Sequence, residues 1–267
     1  MATGYYEPIV HGSKSRGGQN QWPMYAVPKD LLTIDLAGVY PELAGKRVRG
    51  KVEGNKVVPY DSRAQIAARA DKPPVIAWLN DPVEAFFLQV QGSGRVQLDN
   101  GRSIRLAYAD HNGRPYTSIG RWLADQGELP LAQTSMQNIK AWAQQNPHRV
   151  DEMLNVNEAM VFFREEAIQD SIAGPKGAYG IPLVAQRTVA VDPDYVPLGS
   201  PLYLATTYPA SNAPLEKVVF AQDTGSAIKG AARVDFFWGS GDAAGEQAGR
   251  MKQDTQVWVL WPGGMGE

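Results

Sequence analysis

The chain of 267 residues contains no cysteine. Disulfides, thiolate zinc sites and a cysteine nucleophile are therefore excluded together, and a chain of this length can bury a core without staples. Histidine is nearly as scarce. His11, His111 and His148 lie in three unrelated contexts with no ligand spacing, which argues against a histidine metal site and a Ser–His–Asp arrangement. Neither a metal nor a cofactor is expected. No run approaches the ~18–20 apolar residues that span a bilayer. The opening Met1-Ala2-Thr3-Gly4-Tyr5-Tyr6-Glu7-Pro8 has no basic n-region and no apolar h-region, so no signal peptide or lipid anchor is expected. It reads as the interior of a longer fold, a truncated or mature fragment. A charge excess is missing too. Lys and Arg number 26 against 28 Asp and Glu, so no overall field favours nucleic acid or anionic lipid. A partner must be recognised by shape and hydrogen bonding.

The texture of the chain changes twice. Residues 9–75 are rich in Gly, Pro and basic residues and predict loops and short strands, with 45–58 as an exposed ribbon. Alternation over Ala85–Gln91 predicts a strand with Phe86, Leu88 and Val90 on one face. Two alternating runs flank Asn100-Gly101, a strong hairpin signal because both positions tolerate positive φ. Helices are predicted over Ser118–Gln126, Ser135–Gln145 and Arg149–Leu154, the second capped by Ser135 and stopped before Pro147. Met160–Phe163 predicts a short buried strand. Beyond Gln169 short β-runs dominate: Arg187–Val191, Pro201–Thr206, Lys217–Gln222, Val234–Trp238 and Gln256–Leu260, interrupted by one helix at Ala243–Met251. Such a series suggests a small barrel or sandwich, with a boundary near Ala173-Gly174-Pro175.

Three aspartates stand out. Asp192 and Asp223 each end a β-run before a Pro or Gly turn, where a carboxylate commonly bonds its own backbone. Asp235 has no such turn role, because it sits inside Val234-Asp235-Phe236-Phe237-Trp238. Apolar surroundings disfavour the charged form and raise a carboxyl pKa, which marks Asp235 as the candidate functional acid. Alternation places Phe237 on its side of the strand.

The run Ala221-Gln222-Asp223-Thr224-Gly225-Ser226-Ala227-Ile228-Lys229-Gly230 followed by Val234–Gly241 resembles the three-aspartate domain of the membrane-bound lytic murein transglycosylase A family. So do Thr3–Pro8, Gln89–Gly94, Tyr116–Gly120 and Val196–Ser200, in the same order, and the likeness covers nearly the whole chain. The resemblance implies a mainly β fold with an α+β insertion: a double-psi β-barrel from residues 1–7 and 174–267, an inserted substrate-binding domain at 8–173, and a glycan groove between them. It departs from the family in lacking the segment that precedes the Thr-Gly-Tyr-Tyr motif, so some barrel strands and the lipoprotein anchor are expected to be absent. It further implies that Asp235 is a single catalytic acid/base supported by Asp223 and Asp192, and that Thr3, Gln91, Ser93, Lys176, Ala178 and Trp238 line the groove. The implied partner is the peptidoglycan glycan strand at the periplasmic face of the outer membrane, acted on by a monomer or within cell-wall enzyme complexes. Two other readings stay open: a non-catalytic glycan-binding module, and a dimeric aspartic protease built on Asp223-Thr224-Gly225, whose chemistry needs two carboxylates sharing a proton.

Overall fold

The computed structural model describes residues 1–46, 48–168, 173–225 and 227–261. The chain packs as two units, one made of Met1–Ile9 with Ala167–Glu267 and the other of Val10–Glu166. Its strands begin with β1 (Ala2–Glu7), β2 (Ile9–Ser13), β3 (Trp22–Tyr25), β4 (Leu32–Ile34), β5 (Val48–Glu53) and β6 (Lys56–Pro59). They continue with β7 (Val75–Leu79), β8 (Ser93–Leu98), β9 (Ser103–His111) and β10 (Val161–Glu166). The last third supplies β11 (Thr188–Val191), β12 (Pro201–Thr207), β13 (Pro214–Asp223), β14 (Val234–Ser240), β15 (Lys252–Gln253) and β16 (Gln256–Val259). Helices are α1 (Arg63–Ala68), α2 (Pro82–Gln91), α3 (Ile119–Asp125), α4 (Met136–Gln145), α5 (Val150–Asn155) and α6 (Asp242–Arg250).

The Val10–Glu166 unit is α+β. Its larger sheet has the order β10-β9-β8-β2-β7-β3, and β4, β5 and β6 form a small second sheet. The hairpin at Asn100-Gly101 joins β8 to β9, with Gly101 at φ 78°. The Ala85–Gln91 segment is a correction, being the body of α2 rather than a strand. Asp81 caps that helix by accepting from the Val83 and Glu84 N–H groups at 2.9 Å, Pro82 starts it, and Gly92 ends it in the left-handed region. Those start and stop signals frame ten residues whose buried members, Val83, Phe86 and Leu88 among them, follow a helical stripe. Gln89 from the same motif is buried, its Oε1 accepting from Arg63 Nη2 at 3.0 Å. Ser118 and Ser135 cap α3 and α4. These helices close a core of their own with Phe86, Ile139 and Met153.

The other unit is one seven-stranded sheet in the order β15-β1-β14-β11-β13-β12-β16, with α6 packed on β1 and β14. The implied barrel is not closed by a ladder, since among the described residues β15 pairs with β1 and β16 with β12 but not with each other. Yet these two edge strands are consecutive in the chain and only Asp254 and Thr255 separate them. Three residue steps reach at most about 11 Å, so the sheet must curl until its edges nearly meet. Side chains then bridge the gap. Gln253 Nε2 donates to Thr207 Oγ1 and Thr206 Oγ1 to the Asp254 carbonyl, each at 2.7 Å. One face of the curled sheet is the core, built on Val189, Val191, Leu202, Leu204, Val219, Ala221, Phe236 and Trp238.

Candidate active site

The candidate site is assembled by register. β1 runs parallel to β14 and places Thr3 opposite Asp235, Gly4 opposite Phe236 and Tyr5 opposite Phe237. Side chains alternate along a strand, so Thr3, Tyr5, Asp235 and Phe237 share the face that points away from the core. The intervening Gly4 is required by the other face: a Cβ there would lie 2.6 Å from Trp238 Nε1 and 2.8 Å from the Ala248 Cα. On the far side of β14, Ala190 of β11 is the register partner of Asp235, and it is also the partner of Asp223 on β13. A residue without side-chain bulk thus separates the two acids.

Each acid is held by a different hydroxyl. Thr3 Oγ1 donates to Asp235 Oδ1 at 2.5 Å, and Tyr5 Oη donates to Asp223 Oδ2 at 2.9 Å. Asp223 Oδ1 also accepts from the N–H groups of Ala178 and Thr224, both at 2.9 Å. The segment carrying Ala178 is a tight hairpin laid along β13 by a 3.0 Å bond from the Tyr179 N–H to the Gln222 carbonyl. Gly177 lets it lie so close, because a Cβ would strike Leu183 Cδ2 at 2.5 Å and the Gln222 carbonyl oxygen closer still.

Burial pushes the carboxyls of Asp235 and Asp223 up from the ordinary carboxylate range. For Asp235 the hydroxyl of Thr3 and the charge of Arg233 oppose that rise, while Asp223 adds to it. For Asp223 the opposing influences are the two amides and Tyr5. Tyr5 itself is driven well above the usual phenol value by burial and then by Asp223, so it keeps its proton and donates. Three donors favour the ionised form of Asp223, whereas Asp235 accepts only the Thr3 hydroxyl among the described residues. Of the two, Asp235 is better placed to retain a proton.

The other sequence candidates fall elsewhere. Asp192 is 3% exposed and holds the turn before β14, accepting from the Gly230 N–H at 2.8 Å and Lys229 Nζ at 3.2 Å. Its carboxyl is lowered, first by the Gly230 amide and then, against desolvation, by Lys229. Trp238 requires a correction, because it lies in the core, against Phe236 and Tyr208, and its indole N–H donates to Met251 Sδ. No ring face is left for a sugar. Phe237 is on the Asp235 side, its ring 5.2 Å from that of Tyr5. Lys176 is exposed in the 174–183 hairpin, where it pairs with Pro182. Gln91 ends α2 and Ser93 begins β8, both half-buried in the Val10–Glu166 unit. Ser226 of the aspartate motif lies outside the described residues. Two site residues were missed, Tyr5 and Arg233. Tyr5 stands two places from Thr3 on the same strand face, so alternation would have found it, whereas Arg233 precedes β14 and carries no such signal. No group of three or more His, Asp or Glu side chains suited to a metal occurs among the described residues.

A β-domain with two hydroxyl-bonded aspartates on one sheet face, split after its first strand by a separate α+β unit, defines a 3D-domain protein with an insertion. Residues 187–261 match the family described as the 3D domain, and residues 1–164 match the MltA specific insert domain. The chain belongs to the membrane-bound lytic murein transglycosylase A family. It is 33% identical over 97% of its length to membrane-bound lytic murein transglycosylase A of Escherichia coli K12, and spans 64% of that relative. The crystal structure of MltA from Neisseria gonorrhoeae in its monoclinic form superposes with a TM-score of 0.89 at 43% identity, covering 99% of this chain and 73% of that one. E. coli MltA with bound chitohexaose superposes with a TM-score of 0.77 at 31% identity, covering 97% and 70% of the two chains.

Proposed function

We propose that this protein is a lytic transglycosylase that cleaves the β-1,4 bond between N-acetylmuramic acid and N-acetylglucosamine in peptidoglycan, with Asp235 as its single acid/base. The observation that carries the reading is the Asp235 carboxyl, half-buried, raised in pKa and, among the described residues, held on one oxygen only. The names of the relatives support the reaction, and the chitohexaose complex of the E. coli relative supports a β-1,4-linked amino-sugar ligand.

Most glycosidases need a second carboxylate to activate water or to attack the sugar. In the proposed reaction the substrate supplies its own nucleophile. Asp235 gives its proton to the glycosidic oxygen, and the bond to C1 of the muramic residue breaks. The resulting carboxylate takes the proton of the C6 hydroxyl as that oxygen closes on C1, forming a 1,6-anhydro ring. No water enters, and Asp235 ends protonated as it began. A nucleophile tethered within the same sugar avoids most of the entropy cost of a second reactant, and one residue can serve twice because the proton transfers are sequential. Asp223, fixed by three donors that favour its ionised form, supports the acid form of its neighbour. Asp192 supports the site at a distance by bracing the turn that leads into β14. By this reading the protein works where murein lies, at the periplasmic face of the outer membrane. Among the described residues no helix is long and apolar enough to cross a membrane.

The test is digestion of purified sacculi followed by mass spectrometry. Muropeptides one water lighter than hydrolysed ends are expected from the wild-type protein and none from Asp235→Asn. Hydrolysed ends, or full activity in the variant, would sink the proposal.

A further inference from the structure

Thr3 is not the end of the hydrogen-bond chain at Asp235. Arg233 stands two residues before the acid on β14 and donates from Nη1 to Thr3 Oγ1 at 2.7 Å. The same Nη1 donates to the Val234 carbonyl at 2.8 Å, which pins the guanidinium against the start of β14. A Thr hydroxyl has one hydrogen and two lone pairs. With a cation donating to the oxygen, the hydrogen is repelled from that side and turns to the carboxyl, which is where Thr3 directs it at 2.5 Å. Asp235 Oδ1 is then committed as an acceptor.

From this geometry we propose that Arg233 is a positioning residue for the reaction assigned to Asp235. Through Thr3 it confines the transferable proton of Asp235 to Oδ2, the oxygen free to meet substrate. Without the cation, Thr3 could instead accept a hydrogen bond from a protonated Oδ1, and the proton would be turned into β1 where no glycosidic oxygen can reach it. The inference rests on the transglycosylase reading for its kinetic consequences, but the bond network itself can be tested without it.

Arg233 immediately precedes β14, Thr3 and Tyr5 face Asp235 from β1, and Asp223 lies beyond Ala190 on β13. Lys252 is the register partner of Thr3 on β15 and is exposed. Removing the Arg233 charge leaves Asp223 as the near ion, so the acid form of Asp235 should persist to higher pH.

The experiment compares wild type, Arg233→Met, Arg233→Lys, Thr3→Val and the Arg233→Met/Thr3→Val pair as whole chains. Carboxyl-carbon NMR of aspartate-labelled protein follows the titration of Asp235, whose signal is assigned by its loss in Asp235→Asn. Arg233→Met should move the midpoint up by about half to one pH unit, and the alkaline limb of kcat/KM should follow. In that variant kcat should fall ~10-fold or more with KM within about twofold, as expected for misplacement of a reacting group. Arg233→Lys should restore the midpoint towards wild type. In the Thr3→Val background Arg233→Met should cost kcat almost nothing further, because the relay is already cut. An unmoved midpoint in Arg233→Met, or losses that multiply in the double variant, would overturn the proposal. Should Arg233→Met fail to fold, Arg233→Lys and Thr3→Val still decide it, the first by keeping the midpoint and the second by lowering kcat without changing KM. A wild-type protein that releases no anhydro-muropeptides would instead sink the functional reading, while the NMR midpoints would still decide the relay.

Discussion

Asp192 and Asp235 are carboxylates of the same sheet whose surroundings push them in opposite directions. Asp192 is the more deeply buried, yet a backbone amide and a lysine hold it ionised. Asp235 is raised by burial first and by the neighbouring Asp223 last, and the Thr3 hydroxyl and the charge of Arg233 do not offset that rise. Burial raises a carboxyl, and the donors it meets decide whether that rise is overcome: at Asp192 they overcome it and at Asp235 they do not. The first arrangement suits a brace and the second suits proton transfer.

The contrast can be broken most directly at Asp235. Asp235→Asn should lower anhydro-muropeptide release by ~10³-fold, within the range that general acid–base catalysis supplies, while circular dichroism stays unchanged. Asp223→Asn should cost less, ~10-fold, because it removes a charge rather than the proton donor. Without that charge Asp235 ionises sooner, so the alkaline limb of the pH–rate profile should move to lower pH, opposite to the shift expected for Arg233→Met. A limb that stays in place would show that the two acids do not communicate.

Asp192→Ala should act on stability instead. The folded-state pKa of Asp192 is depressed, so its contribution is present above the unfolded value of about 4 and is lost as pH falls through the folded value. The variant should melt below wild type at pH 7, the gap should narrow in acid, and activity per folded molecule should change far less than for Asp235→Asn. The smallest effect is the mirror case. Asp235 has a raised pKa, so its stabilising contribution is complete below the unfolded value and disappears as pH rises through the folded one. Thermal scans should therefore find Asp235→Asn melting slightly above wild type at pH 8 and level with it near pH 4.

Much of this architecture is legible in the chain because local signals and tertiary packing agree. The β-runs of the last third are strands, Ser135 caps its helix, and Asn100-Gly101 turns its hairpin. The segment 85–91 shows the opposite case. Its apolar residues alternate by accident, and the boundary residues Asp81, Pro82 and Gly92, which have a direct backbone reason to start and stop a helix, outrank the pattern between them. At the candidate site the acids are visible as carboxylates among aromatics, but their partners are not. Thr3 and Tyr5 reach them only through pairing between opposite ends of the chain. Arg233 looks like any turn residue until its guanidinium is found on Thr3. In the chain Trp238 is as open to core packing as to a sugar ring, and its contacts place it in the core.

The parallel ladder of β1 with β14 has one further consequence. Thr3 and Asp235 are separated by 232 positions, and residues 10–166 form a compact body of their own in between. During synthesis β1 can pair with β14 only after the whole intervening segment has been made. Contacts of such long separation form late and slowly. A chain that stops short of β14 therefore holds no assembled acid, because Thr3 can meet Asp235 only once both strands exist.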